Sequence, residues 1–235
     1  MKKLTVSSAL RWGKRLLLYV GGLFFIAMGI AFSARSGLGV APVGSPANVL
    51  YEIGKSRGLS ESVFNLGNWT FVVYCVYILA QIVLLRRKFQ PIQLLQLVVS
   101  YLFGFLVNLT RSMLSGLPAP TGYAMQMFYL LVSIPLVALG VMLYLIPDLL
   151  PTPGEGTALA IAGTFHTDVG AGKTIFDCTV VSAAVILSLL WFRGLVGVRE
   201  GTVISALLTG LLVRLFQRLL KKPLLRFAER EVPES

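Results

Sequence analysis

Glu155 stands between Gly154 and Gly156, and Asp177 follows Lys173 by one helical turn in Lys173-Thr174-Ile175-Phe176-Asp177. Both carboxylates occur in otherwise apolar stretches. A carboxylate in apolar surroundings must be paired, protonated or put to use, and inside a bilayer such groups bind protons, cations or polar parts of a substrate. Two roles are open to Glu155. It falls where a capping box places its acid, with Thr152 at the cap and Pro153 at the first helical position, and its flanking glycines also allow close approach by a ligand. Asp177 can form a structural i,i+4 ion pair with Lys173 or belong to a buried polar site.

The remaining polar candidates are neutral. Ser45 precedes Pro46 as a second potential cap, so Ser45 and Thr152 mark two helix starts whose free N–H groups and dipoles favour anionic or polar parts of a solute. Asn65, in Phe64-Asn65, takes the place of Asp177 in Phe176-Asp177 when the two stretches are aligned. Gln96, Ser100, Gly104 and Asn108 recur every four residues on one helix face, matched by Thr202, Ala206, Gly210 and Arg214. Small residues at that spacing favour close helix packing, while the amides of Gln96 and Asn108 need partners in an apolar medium and can line a cavity.

The elements that carry these residues are membrane helices. The 235-residue chain is 56% hydrophobic and 13% charged, more apolar surface than one water-soluble core can hide. Neutral stretches between successive charges are long enough for helices that cross about 30 Å of hydrocarbon. Six spans are predicted, at about 16–34, 63–85, 92–110, 123–147, 174–192 and 200–220. The fifth must carry Asp177 inward, and the sixth Glu200 or Arg214. Residues 1–15 form a basic N-terminus, 16–220 a single membrane domain and 221–235 a C-terminal tail. Lys and Arg gather before the first span, at Arg86-Arg87-Lys88 and after the sixth, which places both termini in the cytoplasm. The net charge of +11 is then accounted for by topology and anionic lipid, without nucleic acid.

A pattern repeats within the domain. Gly29, Leu38, Pro42 and Ala47 recur as Gly140, Leu149, Pro153 and Ala158. Three spans per copy invert the second copy relative to the first, repeat 1 covering about 16–110 and repeat 2 about 123–220. Each copy holds a Gly/Pro-broken stretch, Ser36–Tyr51 or Leu149–Phe165, too interrupted to span. Such backbone is tolerated at membrane depth only inside protein or beside a wet cavity, and so reads as a re-entrant or half-helix segment. The fold expected is all-α, with six transmembrane helices in two inverted three-helix repeats. The repeat also argues for retention of the first apolar segment, whose apolar length exceeds that of a signal peptide.

Other motifs carry little. Gly170-Ala171-Gly172-Lys173-Thr174 resembles the end of a phosphate-binding loop, but Thr167 replaces the required earlier glycine and no strand precedes it. The sequons at Asn68 and Asn108 fall inside spans. The single histidine, His166, beside Asp168 reads as a solvated loop pair or a gate-tuning group, and Cys75 and Cys178 lack ligand spacing. The expectation is a non-enzyme with no catalytic residue, metal or cofactor.

Arg87-Lys88-Phe89-Gln90 through Gly104, Lys173-Thr174-Ile175-Phe176-Asp177 and Gly197-Val198-Arg199-Glu200-Gly201-Thr202 resemble the bacterial YczE/YyaS/YitT-like membrane proteins. The resemblance covers about residues 16–220 and implies a multi-pass protein of transporter type without a settled substrate. The residues themselves suggest secondary transport of a small solute, with Asp177, Asn65, Glu155, Ser45, Thr152, Gln96 and Asn108 as candidate binding or coupling groups. The alternative is a membrane scaffold or accessory subunit. The partners expected are the lipid bilayer and an unidentified small molecule, with association into homo-oligomers left open.

Overall fold

The computed structural model describes Val6–Glu229. Residues 1–5, with Lys2 and Lys3 of the basic N-terminus, and residues 230–235 of the expected tail lie outside the described residues. The described chain is helical: α1 (Val6–Ser36), α2 (Ser45–Ser56), α3 (Leu66–Leu85), α4 (Gln96–Met113), α5 (Tyr123–Leu145), α6 (Pro153–Phe165), α7 (Val169–Phe192) and α8 (Glu200–Glu229). Its one β-type contact among the described residues is an isolated bridge between Gly39 and Val198. Short 3₁₀ turns precede α2 at Pro42–Gly44 and lead from α3 into α4 at Arg86–Lys88 and Pro91–Leu95.

Six of these helices are long and apolar enough to cross a membrane: α1, α3, α4, α5, α7 and α8. With 12 and 13 residues, α2 and α6 are not, since each reaches only about 20 Å. The fifth span begins at Val169, earlier than its charge pattern alone suggests, because Asp168 accepts a hydrogen bond from Ala171 N and starts the helix there. Asp177 is thereby drawn well inside α7. The sixth span carries Arg214 at mid-helix, and α8 continues as helix past residue 220.

The two copies are related as an inverted pair, and glycines supply the proof. Helices α1 and α5 run antiparallel in close contact. A Cβ on Gly29 would collide with Val137 Cγ2 and lie 2.8 Å from Ser133 O, while a Cβ on Gly140 would lie 2.7 Å from Ile26 Cγ1 and 2.6 Å from Gly22 O. Moving each residue of the first set by 111 positions (29 to 140, 137 to 26, 133 to 22) gives the second set. The contact is its own image, as required of helices packed about a two-fold axis. Only glycine lets the backbones approach this closely in lipid, where van der Waals packing holds helices together.

Each broken helix crosses to the other copy. Helix α6 packs on α3 as well as on its neighbour α7, and α2 packs on α7 as well as on α3. The outer helices are less equal. Helix α4 lies along α3, whereas α7 and α8 are not packed along one another, although α8 lies along α5. Because each span reverses the chain, Arg86–Lys88, the end of α5 and the start of α7 share one face, called here the basic face. Arg35, Asn65, Arg111 and the α7–α8 loop occupy the far face.

Candidate functional site

The broken helices begin at mid-depth and point at each other. A Cβ on Gly154 would sit 2.7 Å from Val43 Cγ1, so the two starts touch. Tyr77, half-way along α3, donates its hydroxyl to Val43 O at 2.9 Å and sets its ring edge-on to Phe176 of α7 at 5.1 Å. Thr157 donates to Pro153 O at 2.8 Å and to Tyr77 O at 3.1 Å. Gln81 Nε2 donates to Pro153 O at 3.1 Å and to Gln96 Oε1 at 3.0 Å. Both amides are fully buried, and one atom of each, Gln81 Oε1 and Gln96 Nε2, has no partner among the described residues. These two atoms flank Gly156, where a Cβ would lie 2.7 Å from one and 2.9 Å from the other. A free acceptor and a free donor on one glycine of a half-helix form a polar spot in an apolar core, and such groups are costly unless something uses them.

Below this junction, on the basic face, lies a cavity of about 790 Å³. Its wall combines Leu149, Leu150 and Leu159 with Glu155, Lys173 and Arg214. Lys173 is bonded to Asp177 by the i,i+4 pair, with side chains 39% and 26% exposed. Lys173 and Asp177 are also the charges near enough to act on the Glu155 carboxylate. The three form one charged group at membrane depth, within the span of α7 and beside it.

A second cavity of about 550 Å³ opens on the far face, lined among others by Arg35, Tyr51, Glu61, Asn65, Asn108 and Arg111. Tyr51 donates to Glu61 at 2.8 Å and accepts from Arg111 at 2.6 Å, with the guanidinium 4.3 Å above the tyrosine ring. Arg35 donates to Leu117 O, and its buried Nε has no partner among the described residues. No residue lines both cavities. Leu23 and Ala27 of α1 and Ala47 of α2 are buried, and Tyr74 stacks on Phe103 at 5.5 Å.

The structure distributes the expected site residues over three places. Glu155 lines the basic-face cavity, Asp177 stands behind it bonded to the lining Lys173, Asn65 and Asn108 line the far-face cavity, and Gln96 belongs to the buried junction. Ser45 does not cap α2. Gly44 is the cap residue, and Ser45, already in the helix, turns its hydroxyl back to Val40 O and Ala41 O. Thr152 holds the cap position of α6 but makes no side-chain capping bond, so the capping box expected with Glu155 is not formed. Its carboxylate lines the cavity instead.

The pairing of Asn65 with Asp177 is also corrected. Asn65 caps α3 by accepting from Asn68 N, as Asp168 caps α7 by accepting from Ala171 N. Asn65 and Asp168 are therefore the equivalent positions, and Asp177 lies more than two turns deeper. Asn108 is held in packing, accepting from Gly67 N at 2.9 Å. Sequence reasoning missed Tyr77, Gln81 and Thr157. Of these only Gln81 had a legible signal, as a lone amide late in an apolar span.

Residues 13–218 match the family described as "Family of unknown function (DUF6198)". The chain belongs to that family. No curated protein and no solved structure matches the chain significantly. The DUF6198 match contains both repeats, both broken helices and every residue that lines the two cavities.

Proposed function

We propose that this DUF6198 protein is a secondary transporter of a small solute, with the basic face cytoplasmic and the two copies rocking about the junction of α2 and α6. One observation carries the reading: two cavities open to opposite faces and are separated by two half-helix starts related by the pseudo-two-fold axis. Inverted repeats with discontinuous helices meeting at mid-depth are the architecture of alternating access. The Val43, Gly154, Tyr77 and Phe176 contacts are the closed gate. Glu155 and the Lys173–Asp177 pair are the charged groups for coupling, and Gln81 and Gln96 offer an acceptor and a donor to a solute's polar end. The resemblance to YczE/YyaS/YitT-like proteins points the same way.

The test is uptake by proteoliposomes screened with pools of labelled polar metabolites under an imposed proton or sodium gradient. Uptake above protein-free liposomes is expected, with its pH dependence abolished in Glu155→Gln at unchanged protein content. A protein that moves none of the solutes and instead co-purifies with one stoichiometric membrane partner is an accessory subunit, and the reading fails.

A further inference from the structure

The gap between α7 and α8 has a specific shape and charge. In repeat 1 the equivalent place is shut: Gly104 meets Gly67 backbone to backbone, with a Cβ on Gly104 only 2.6 Å from Gly67 O. In repeat 2 a Cβ on Gly210 would meet no atom of the described residues within 4 Å. One turn below Gly210, Arg214 is exposed on the same helix face, donating Nε to Gly210 O at 3.3 Å and making no ion pair with any described residue. The basic-face cavity lies between this stretch of α8 and the start of α7, so it opens sideways toward lipid through the gap. An opening at this depth, walled by leucines, admits chains from the adjoining leaflet.

The charges select the head group. Four ionic side chains line the cavity: Asp148, Glu155, Lys173 and Arg214. Lys173 is already answered by Asp177. Glu155 is half-buried and within reach of the same Lys173, which leaves one exposed cation, Arg214, and one exposed carboxylate, Asp148, for an occupant to satisfy. An anion alone would meet Arg214 but add to the charge of Asp148. A head group carrying both a phosphate and an ammonium meets both signs.

We infer that the α7–α8 gap is a lateral binding site for a zwitterionic amphiphile of the adjoining leaflet, phosphate on Arg214, ammonium on Asp148, and acyl chain along Gly210. This names a ligand for one cavity of the proposed transporter; binding itself is independent of that reading, and only movement of the bound amphiphile would rest on it.

The test titrates the purified full chain in nonionic detergent with short-chain phosphatidylethanolamine, phosphatidylglycerol of the same chains and soluble phosphoethanolamine, read by native mass spectrometry. One phosphatidylethanolamine should bind per chain. Arg214→Gln should weaken it about tenfold, the loss of one charge-assisted contact. Asp148→Asn should weaken phosphatidylethanolamine and leave phosphatidylglycerol unchanged. Gly210→Trp, at a position facing open space, should block binding even if Arg214→Gln failed to fold. Equal binding of both lipids, indifference to Gly210→Trp, or binding of soluble phosphoethanolamine as tight as that of the lipid would each overturn the inference. Binding without any liposome transport leaves the site standing and removes the transport reading; transport of a soluble solute without lipid binding does the reverse.

Discussion

Helices α3 and α4 of repeat 1 and α7 and α8 of repeat 2 occupy corresponding places, yet one pair is sealed and the other open. The sealed pair is held by Gly67 against Gly104, by Asn108 accepting from Gly67 N, and by the Gln81–Gln96 bond at the other end. In the open pair, Gly210 faces space and Arg214 takes the place of Asn108. Small residues therefore do not by themselves close two membrane helices. They close when a second glycine faces the first and an amide bonds the exposed backbone, and a charged side chain in the amide's place leaves a gap.

The comparison breaks most sharply at its matched glycines. Gly104→Ala should cost about 2 kcal/mol by forcing the α3 backbone away, whereas Gly210→Ala should be neutral or stabilise by up to about 1 kcal/mol through helix propensity. Thermal unfolding of both variants in detergent measures this. Equal losses would mean that α7 and α8 pack as α3 and α4 do. Next in size, Asn108→Ala should cost about 1 kcal/mol by leaving Gly67 N unbonded. Arg214→Gln should change stability by less than about 0.5 kcal/mol. The smallest effect belongs to the Lys173–Asp177 pair, partly exposed and on one helix face. Lys173→Met with Asp177→Leu should shift stability by no more than about 0.5 kcal/mol while changing transport, measured in the same liposome assay as Glu155→Gln. A large stability loss there would make the pair structural.

Much of the fold was legible in the residues, for reasons that can be named. Membrane spans follow from length and hydropathy, and the inverted pair followed from Gly29 and Gly140, because close backbone contact on the two-fold axis tolerates little else. The equivalence of the second half was misjudged. A pattern match of Phe64-Asn65 with Phe176-Asp177 ignores the shorter connection from α6 to α7, which the capping bonds of Asn65 and Asp168 expose. Ser45 looked like a cap because a 3₁₀ turn entering the helix cannot be told from a helix start by residue type. The site was only half visible: Glu155 and Asp177 announced themselves as charges among apolar residues, but the Gln81–Gln96 meeting spans two helices, and a gap leaves no residue to read.

The central claim, two opposed cavities separated by a gate at Val43, Gly154 and Tyr77, is tested most directly by thiol accessibility. In a chain with Cys75 and Cys178 replaced by serine, Leu159→Cys, at an exposed position of the basic-face cavity, is presented to a membrane-impermeant maleimide in vesicles of each orientation. The account predicts reaction from the basic face alone in the resting protein, and from both faces once Tyr77→Ala removes the gate. Reaction from the far face in the resting protein, or no gain with Tyr77→Ala, would contradict it.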